Sequence, residues 1–95
     1  MRLVKTPEIK RVALRCVWFQ DVDEALADPI HFIAHVLTYG AHEDLKTLRN
    51  QVSDDELRLV LNQAPPGIFD ARSWSYWHRM LGQDTVPPLP ARKLV

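Results

Sequence analysis

A chain of 95 residues, 46% apolar and 25% charged, suffices for one domain around one modest core and leaves little chain to enclose a catalytic cleft. Twelve basic residues balance twelve acidic ones, which is a poor match to a non-specific nucleic-acid binder. No apolar run approaches the roughly 18 residues a membrane span requires, and the start MRLVKTPEIK lacks the uninterrupted apolar stretch of a secretory signal.

The lone cysteine, Cys16, cannot close an internal disulfide. Within RVALRCVWF it reads as a small buried hydrophobe rather than a reactive thiol, and a cytoplasmic setting is the expectation. Charge is zero overall but unevenly spread. Residues 1–15 hold five basic groups and one acid, residues 16–70 ten acids and three basic groups, and residues 71–95 four basic groups and one acid. Basic ends flank an acidic middle, a polarity that a charged protein partner can use. Taken singly, each charge has the blander reading of a solvated helix face.

Residues 1–17 are ambiguous. Val12, Leu14, Cys16 and Trp18 alternate as in a strand, whereas Ile9, Val12, Ala13, Cys16 and Val17 fit a helix; so short an apolar run is not decided by period. With no second strand to pair with, a short helix or an extended arm is expected. QDVDEALAD follows as an acidic, turn-rich link. A helix opens at Asp28-Pro29, where the carboxylate can cap and proline sits at the first helical position. Ile30, Ile33, Ala34 and Leu37 form its apolar stripe, widened by Phe32, Val36 and Tyr39. Gly40 stands where a left-handed C-terminal residue is wanted. A second helix, AHEDLKTLRNQ, turns Leu45, Leu48 and Val52 inward and carries Glu43 and Asp44 in its first turn, where the helix dipole favours them. A third opens with the capping box Ser53–Glu56 and buries Leu57, Val60, Leu61 and Ala64, ending at Pro65-Pro66-Gly67. A fourth runs from about Asp70 to Leu81 with Trp74, Trp77 and Leu81 as its heavy apolar residues. The proline-rich tail, residues 83–95, is expected to be extended or disordered unless it docks. The predicted fold is all-α: a compact bundle of four to five short helices over residues 18–82, with an N-terminal arm and a Pro-rich C-terminal tail.

Candidate chemistry is thin. His31 and His35 at i, i+4 could reach one metal, but a site needs three or four ligands. His42 lies beyond Gly40, His78 stands alone, and the glutamate of the H-E-x-x-H zinc pattern is missing. His31, His35 and His42 are therefore expected on a solvated face. Asp21, Asp23 and Glu24 lack the phosphate-cradling loop that would accompany a magnesium site, and no nucleophile motif is present. No catalytic residue, metal or cofactor is expected. A helix-turn-helix built on the second and third helices would enter the groove with Asp54-Asp55-Glu56, which phosphate repels. Nucleic acid is thus the lesser partner, with a DNA-binding regulator of its own operon kept as the alternative.

Aromatic residues are the sharpest signal. Trp18-Phe19 precedes the acidic link, and WSYW occupies 74–77. Core filling accounts for some of them. So short a chain can hardly bury all eight aromatics, and Trp and Tyr dominate interface hot spots. The partner-binding residues expected are Trp18, Phe19, Asp21, Asp23, Glu24, Glu43, Asp44, Trp74, Tyr76 and Trp77. A homodimer is compatible with the same exposed aromatics.

Residues 18–82 resemble a small bacterial family of uncharacterised domains encoded beside AbiEii-type nucleotidyltransferase toxins. Its pattern runs FWDVD, then FIxxVLxYG with an acidic pair, then NFWxxxLG. Phe19, Asp21, Val22 and Asp23 match the first part, with Gln20 in place of tryptophan. Phe32, Ile33, Val36, Leu37, Tyr39 and Gly40, then Glu43-Asp44, match the second. Tyr76, Trp77, Leu81 and Gly82 match the last, with Ser75 for asparagine, while PPGIF departs from the usual turn. The resemblance covers about two-thirds of the chain, on mostly hydrophobic positions. It implies a non-catalytic antitoxin or accessory protein that neutralises a nucleotidyltransferase-like toxin by protein contact; joined to the charge map, the expectation is that the acidic middle docks against a basic cleft.

Overall fold

The computed structural model describes residues 3–90. Six α-helices, and no strand among the described residues, run in the order α1 (Pro7–Cys16), α2 (Val22–Ala27), α3 (Pro29–Tyr39), α4 (His42–Arg49), α5 (Asp54–Asn62) and α6 (Ala71–Met80). The all-α bundle is as expected, with six helices where four to five are expected from sequence.

Residues 7–16 are a helix and not an arm. Thr6 Oγ1 accepts from the Ile9 amide, Pro7 opens the first turn, and Ile9, Val12, Ala13 and Cys16 are buried. That is the i, i+3, i+4, i+7 stripe; Leu14, which a strand would have buried beside Val12 and Cys16, is exposed. The helix packs on α2, α3 and α4, so the core does not begin at residue 18. The supposed acidic link is also helical. α2 buries Ala25 and Leu26 while Asp23 and Glu24 occupy its solvated first turn. Asp28 ends α2 and caps α3, its Oδ1 accepting from the His31 amide at 3.3 Å.

α3 is the axle of the bundle. It packs against each of the other five helices, and its buried residues, Phe32 through Leu37, run all the way round it. A helix apolar on every side is the kind that lies in the middle. It ends at Gly40, whose backbone is extended (φ −70°, ψ 144°) rather than left-handed. The glycine is needed for a different reason: a Cβ there would lie 2.5 Å from the Val36 carbonyl oxygen.

The later helices follow their caps. Ser53 and Glu56 exchange the two bonds of a capping box. Asp70 Oδ1 accepts from the Ser73 amide at 2.7 Å to start α6, and those hydrogen bonds hold its carboxyl below the usual range. Gly82 takes the left-handed turn after α6 (φ +81°). The tail docks: Trp74 Nε1 donates to the Pro87 carbonyl at 2.8 Å, and Val86 packs on the core. The remaining tail residues, 91–95, lie outside the described residues.

Candidate functional site

Val17, fully buried, closes α1, and the turn that follows throws both of its large neighbours outward. Trp18 is 76% exposed and Phe19 53%. They meet edge to face, ring centroids 5.8 Å apart. Phe19 leans on His35 at 5.3 Å, and His35 in turn faces His31 at 4.4 Å and Tyr39 at 6.0 Å. His31, His35 and Tyr39 stand at i, i+4 and i+8 on one side of α3. The result is a continuous ridge of five rings, three of them with large solvent-facing area. Beside it is an open hollow of about 310 Å³ lined by Arg15, Cys16, Trp18, Phe19, His35 and Tyr39. The same turn leads into Asp21, Asp23 and Glu24, all exposed. Asp23 pairs with Lys5 at 3.1 Å; Asp21 and Glu24 have no ion-pair partner among the described residues.

Ten residues were expected at a partner surface, and the structure divides them. Trp18, Phe19, Asp21, Asp23 and Glu24 form one exposed neighbourhood. Glu43 is exposed in the first turn of α4, beside Arg11 and Arg15. Tyr76 is half exposed on α6, away from the ridge, with its ring edge-on to Trp77 at 5.2 Å. Three are not at the surface. Trp74 and Trp77 are 4% and 3% exposed, and both indole N–H groups are already used, on the Pro87 and Leu37 carbonyls. The Leu37 carbonyl belongs to the last turn of α3, so Trp77 fills an acceptor that the helix itself leaves open. Asp44 is 2% exposed. Its Oδ2 accepts from the Ala41 amide at 2.9 Å, half of a capping box that alanine cannot reciprocate, and its Oδ1 pairs with Arg15. It is a joint between α1 and α4 and not a docking acid.

The histidines also require correction. His35 is buried rather than solvated, and His78, for which no face was expected, is buried too. Each points Nδ1 at the carbonyl four residues back, His35 at His31 (2.9 Å) and His78 at Trp74 (2.7 Å). A carbonyl only accepts, so both rings carry the proton on Nδ1. Among the described residues no group of three or more His, Cys, Asp or Glu side chains is placed to hold a metal. Cys16 is buried as expected. Burial and the nearby Asp44 carboxylate push its thiol up to about 11, so at neutral pH it is not a nucleophile. Sequence reasoning missed His35 and Tyr39 as members of the ridge, although their spacing from His31 was in plain view.

Burial lowers the His35 pKa below its ordinary 6.5. The neutral ring therefore stabilises the fold fully above about pH 6.5. As pH falls below that, the unfolded chain takes up a proton that the folded chain resists, and stability declines until pH passes the folded value. His35→Phe keeps a ring against Phe19 and removes the titration. Urea unfolding at about pH 7 and about pH 5 should show a smaller loss of stability for this variant than for the wild type.

Comparisons with protein-family models, with curated proteins and with solved structures find no match.

Proposed function

We propose that the chain is a non-catalytic binding protein that uses the Trp18–Phe19–Tyr39 ridge and the adjoining acids to cover a surface of a protein partner. The observation that carries this reading is the 76% exposure of Trp18 within a continuous line of rings. Large rigid aromatic side chains left in water, rimmed by charge, are what interface anchors look like before docking. Asp21, Asp23 and Glu24 would orient the encounter with a basic partner. Following the family resemblance, that partner is a nucleotidyltransferase-like toxin, which the chain neutralises in the cytoplasm by occluding its basic, nucleotide-holding cleft. No helix of the described residues is long and apolar enough to cross a membrane.

The rival reading is a DNA-binding autoregulator. It has against it the start of α5, where Asp54 and Asp55 are exposed at the end that would approach phosphate. Co-expression with the protein encoded next to it tests the two. The partner should co-purify, and Asp21→Lys with Asp23→Lys should weaken that association by about 10-fold or more at low salt, the difference shrinking as salt rises. Asp21 makes no side-chain capping bond and Asp23 gives up only its exposed pair with Lys5, worth about 1 kcal/mol or less, so unchanged helical circular dichroism is the control that α2 is kept. Salt-sensitive binding of its own promoter, with no partner retained, would replace this reading by the regulator.

A further inference from the structure

The bundle has a second unfilled surface. α4 and α6 both pack on α3 but scarcely on each other, and between them lies a groove of about 480 Å³. Its floor is apolar, from Leu45, Tyr76 and Met80, with Tyr76 and Met80 both more than half exposed. Its rim is basic: Lys46 and Arg49 on α4, continued by Arg72 on α6 in an adjoining hollow that shares Leu45 and Tyr76. Among the described residues no carboxylate lines either depression. Arg49 leans on Asp54 at 2.6 Å, while Lys46 and Arg72 have no ion-pair partner among the described residues.

This groove is the chemical complement of the ridge. One surface projects two aromatic side chains beside Asp21, Asp23 and Glu24; the other recedes to an apolar floor beside Lys46 and Arg72. The two lie on different sides of α3. His31, His35 and Tyr39 carry the ridge, whereas Leu37 faces the α6 side, lining the adjoining hollow and accepting from Trp77. Two positions apart on an α-helix is about 200° of rotation. Asp21 and Glu24 beside the ridge and Lys46 and Arg72 beside the groove, none of them in an ion pair among the described residues, thus lie on separate faces with opposite sign.

We propose that the ridge of one copy seats in the α4–α6 groove of a second copy, Trp18 and Phe19 on Tyr76 and Met80, with the α2 acids against Lys46 and Arg72. Because the joined surfaces differ and face different ways, the contact is head-to-tail, and each copy added leaves one ridge and one groove free. The ridge it uses is the one assigned above to a protein partner, so that partner and a second copy compete for it. The groove, by contrast, is specific to self-association.

Sedimentation velocity across a range of protein and salt concentrations tests it with the full chain. The wild type should gain mass beyond a dimer as concentration rises and lose it as salt rises. A ridge variant (Trp18→Ala with Phe19→Ala) and a groove variant (Lys46→Glu with Tyr76→Ala) should each be monomeric alone, with unchanged helical circular dichroism. Mixed one to one, they should form a heterodimer that stops at two, because only one intact ridge meets one intact groove. A wild type still monomeric at about 1 mM, association that survives either variant, or a mixture that stays monomeric would each overturn the proposal. Partner co-purification by the groove variant is expected to persist, so failure here is separable from failure of the partner reading.

Discussion

Trp77→Ala is expected to destabilise the domain by about 3–5 kcal/mol, the range for deleting a large buried aromatic. Trp77 is 3% exposed, and its Nε1 donates to the Leu37 carbonyl at 2.8 Å across forty positions of sequence. Alanine would open a cavity between α6 and α3 and leave a buried carbonyl without its donor. A domain of this size has about 5–15 kcal/mol in total, so about a fifth or more of the stability goes. The melting temperature should fall by tens of degrees, at about 4–8 °C per kcal/mol. Trp77→Phe separates the two contributions: it keeps most of the packing and loses the hydrogen bond, and should lose only about 1–3 kcal/mol. Urea unfolding followed by far-ultraviolet circular dichroism measures both. A Trp77→Ala midpoint close to wild type would mean that the indole is not what joins α6 to α3.

The contrast between Trp77 and its neighbours shows what periodicity can and cannot read. Spacing alone put Trp74 and Trp77 on one side of a helix and Tyr76 on another. It did not say which side faced in, since a face rich in tryptophan suits a core and an interface equally. What decides is that two carbonyls, Leu37 and Pro87, stand ready for the two indole N–H groups, and both acceptors are remote in sequence. The burial of Asp44 is not legible in the sequence for a similar reason. An acid in the first turn of a helix needs no neighbour to explain it; only the packing of α1 on α4 brings Arg15 onto it and removes it from water.

The helices that carry their own punctuation were legible. Asp28-Pro29 before α3 and Ser53 with Glu56 before α5 act within one turn, and the structure has both caps. α2 was lost because six residues are too few for a 3.6-residue period to repeat, and its inward residues are Ala25 and Leu26, neither of them distinctive. One apolar stripe on α3 implies one wet opposite side, which would put its histidines outside. Phe32, Ile33, Ala34, Val36 and Leu37 already point in every direction around the axis. That all-round pattern was the available sign that His35 would be buried too. At the candidate site, Trp18 and Phe19 were noticed for their type. Their exposure depends on Val17 taking the last inward place of α1, which no local pattern specifies.

Trp18→Ala together with Phe19→Ala is expected to cost folding no more than about 1–2 kcal/mol while weakening the protein partner by about 30-fold or more. Trp18 makes its one ring contact with Phe19 and lies largely in water, while about half of Phe19 is covered, so the burial lost is modest. In a complex the same two rings would be the desolvated anchors, where truncation of an aromatic hot spot costs about 2 kcal/mol or more. The opposite pattern, a large loss of stability with partner affinity intact, would make the ridge a structural feature and remove the proposed function. A second readout needs no partner at all. Phe19 is the ring that leans over His35 at 5.3 Å, and burial is the leading cause of the lowered His35 pKa. Uncovering the imidazole should let that pKa rise towards 6.5. The acid-side loss of stability would then be shallower than in the wild type. Trp18→Ala alone leaves Phe19 in place and should not change it, so the pair of variants tells apart a ridge whose rings support one another from two aromatics that merely share a turn.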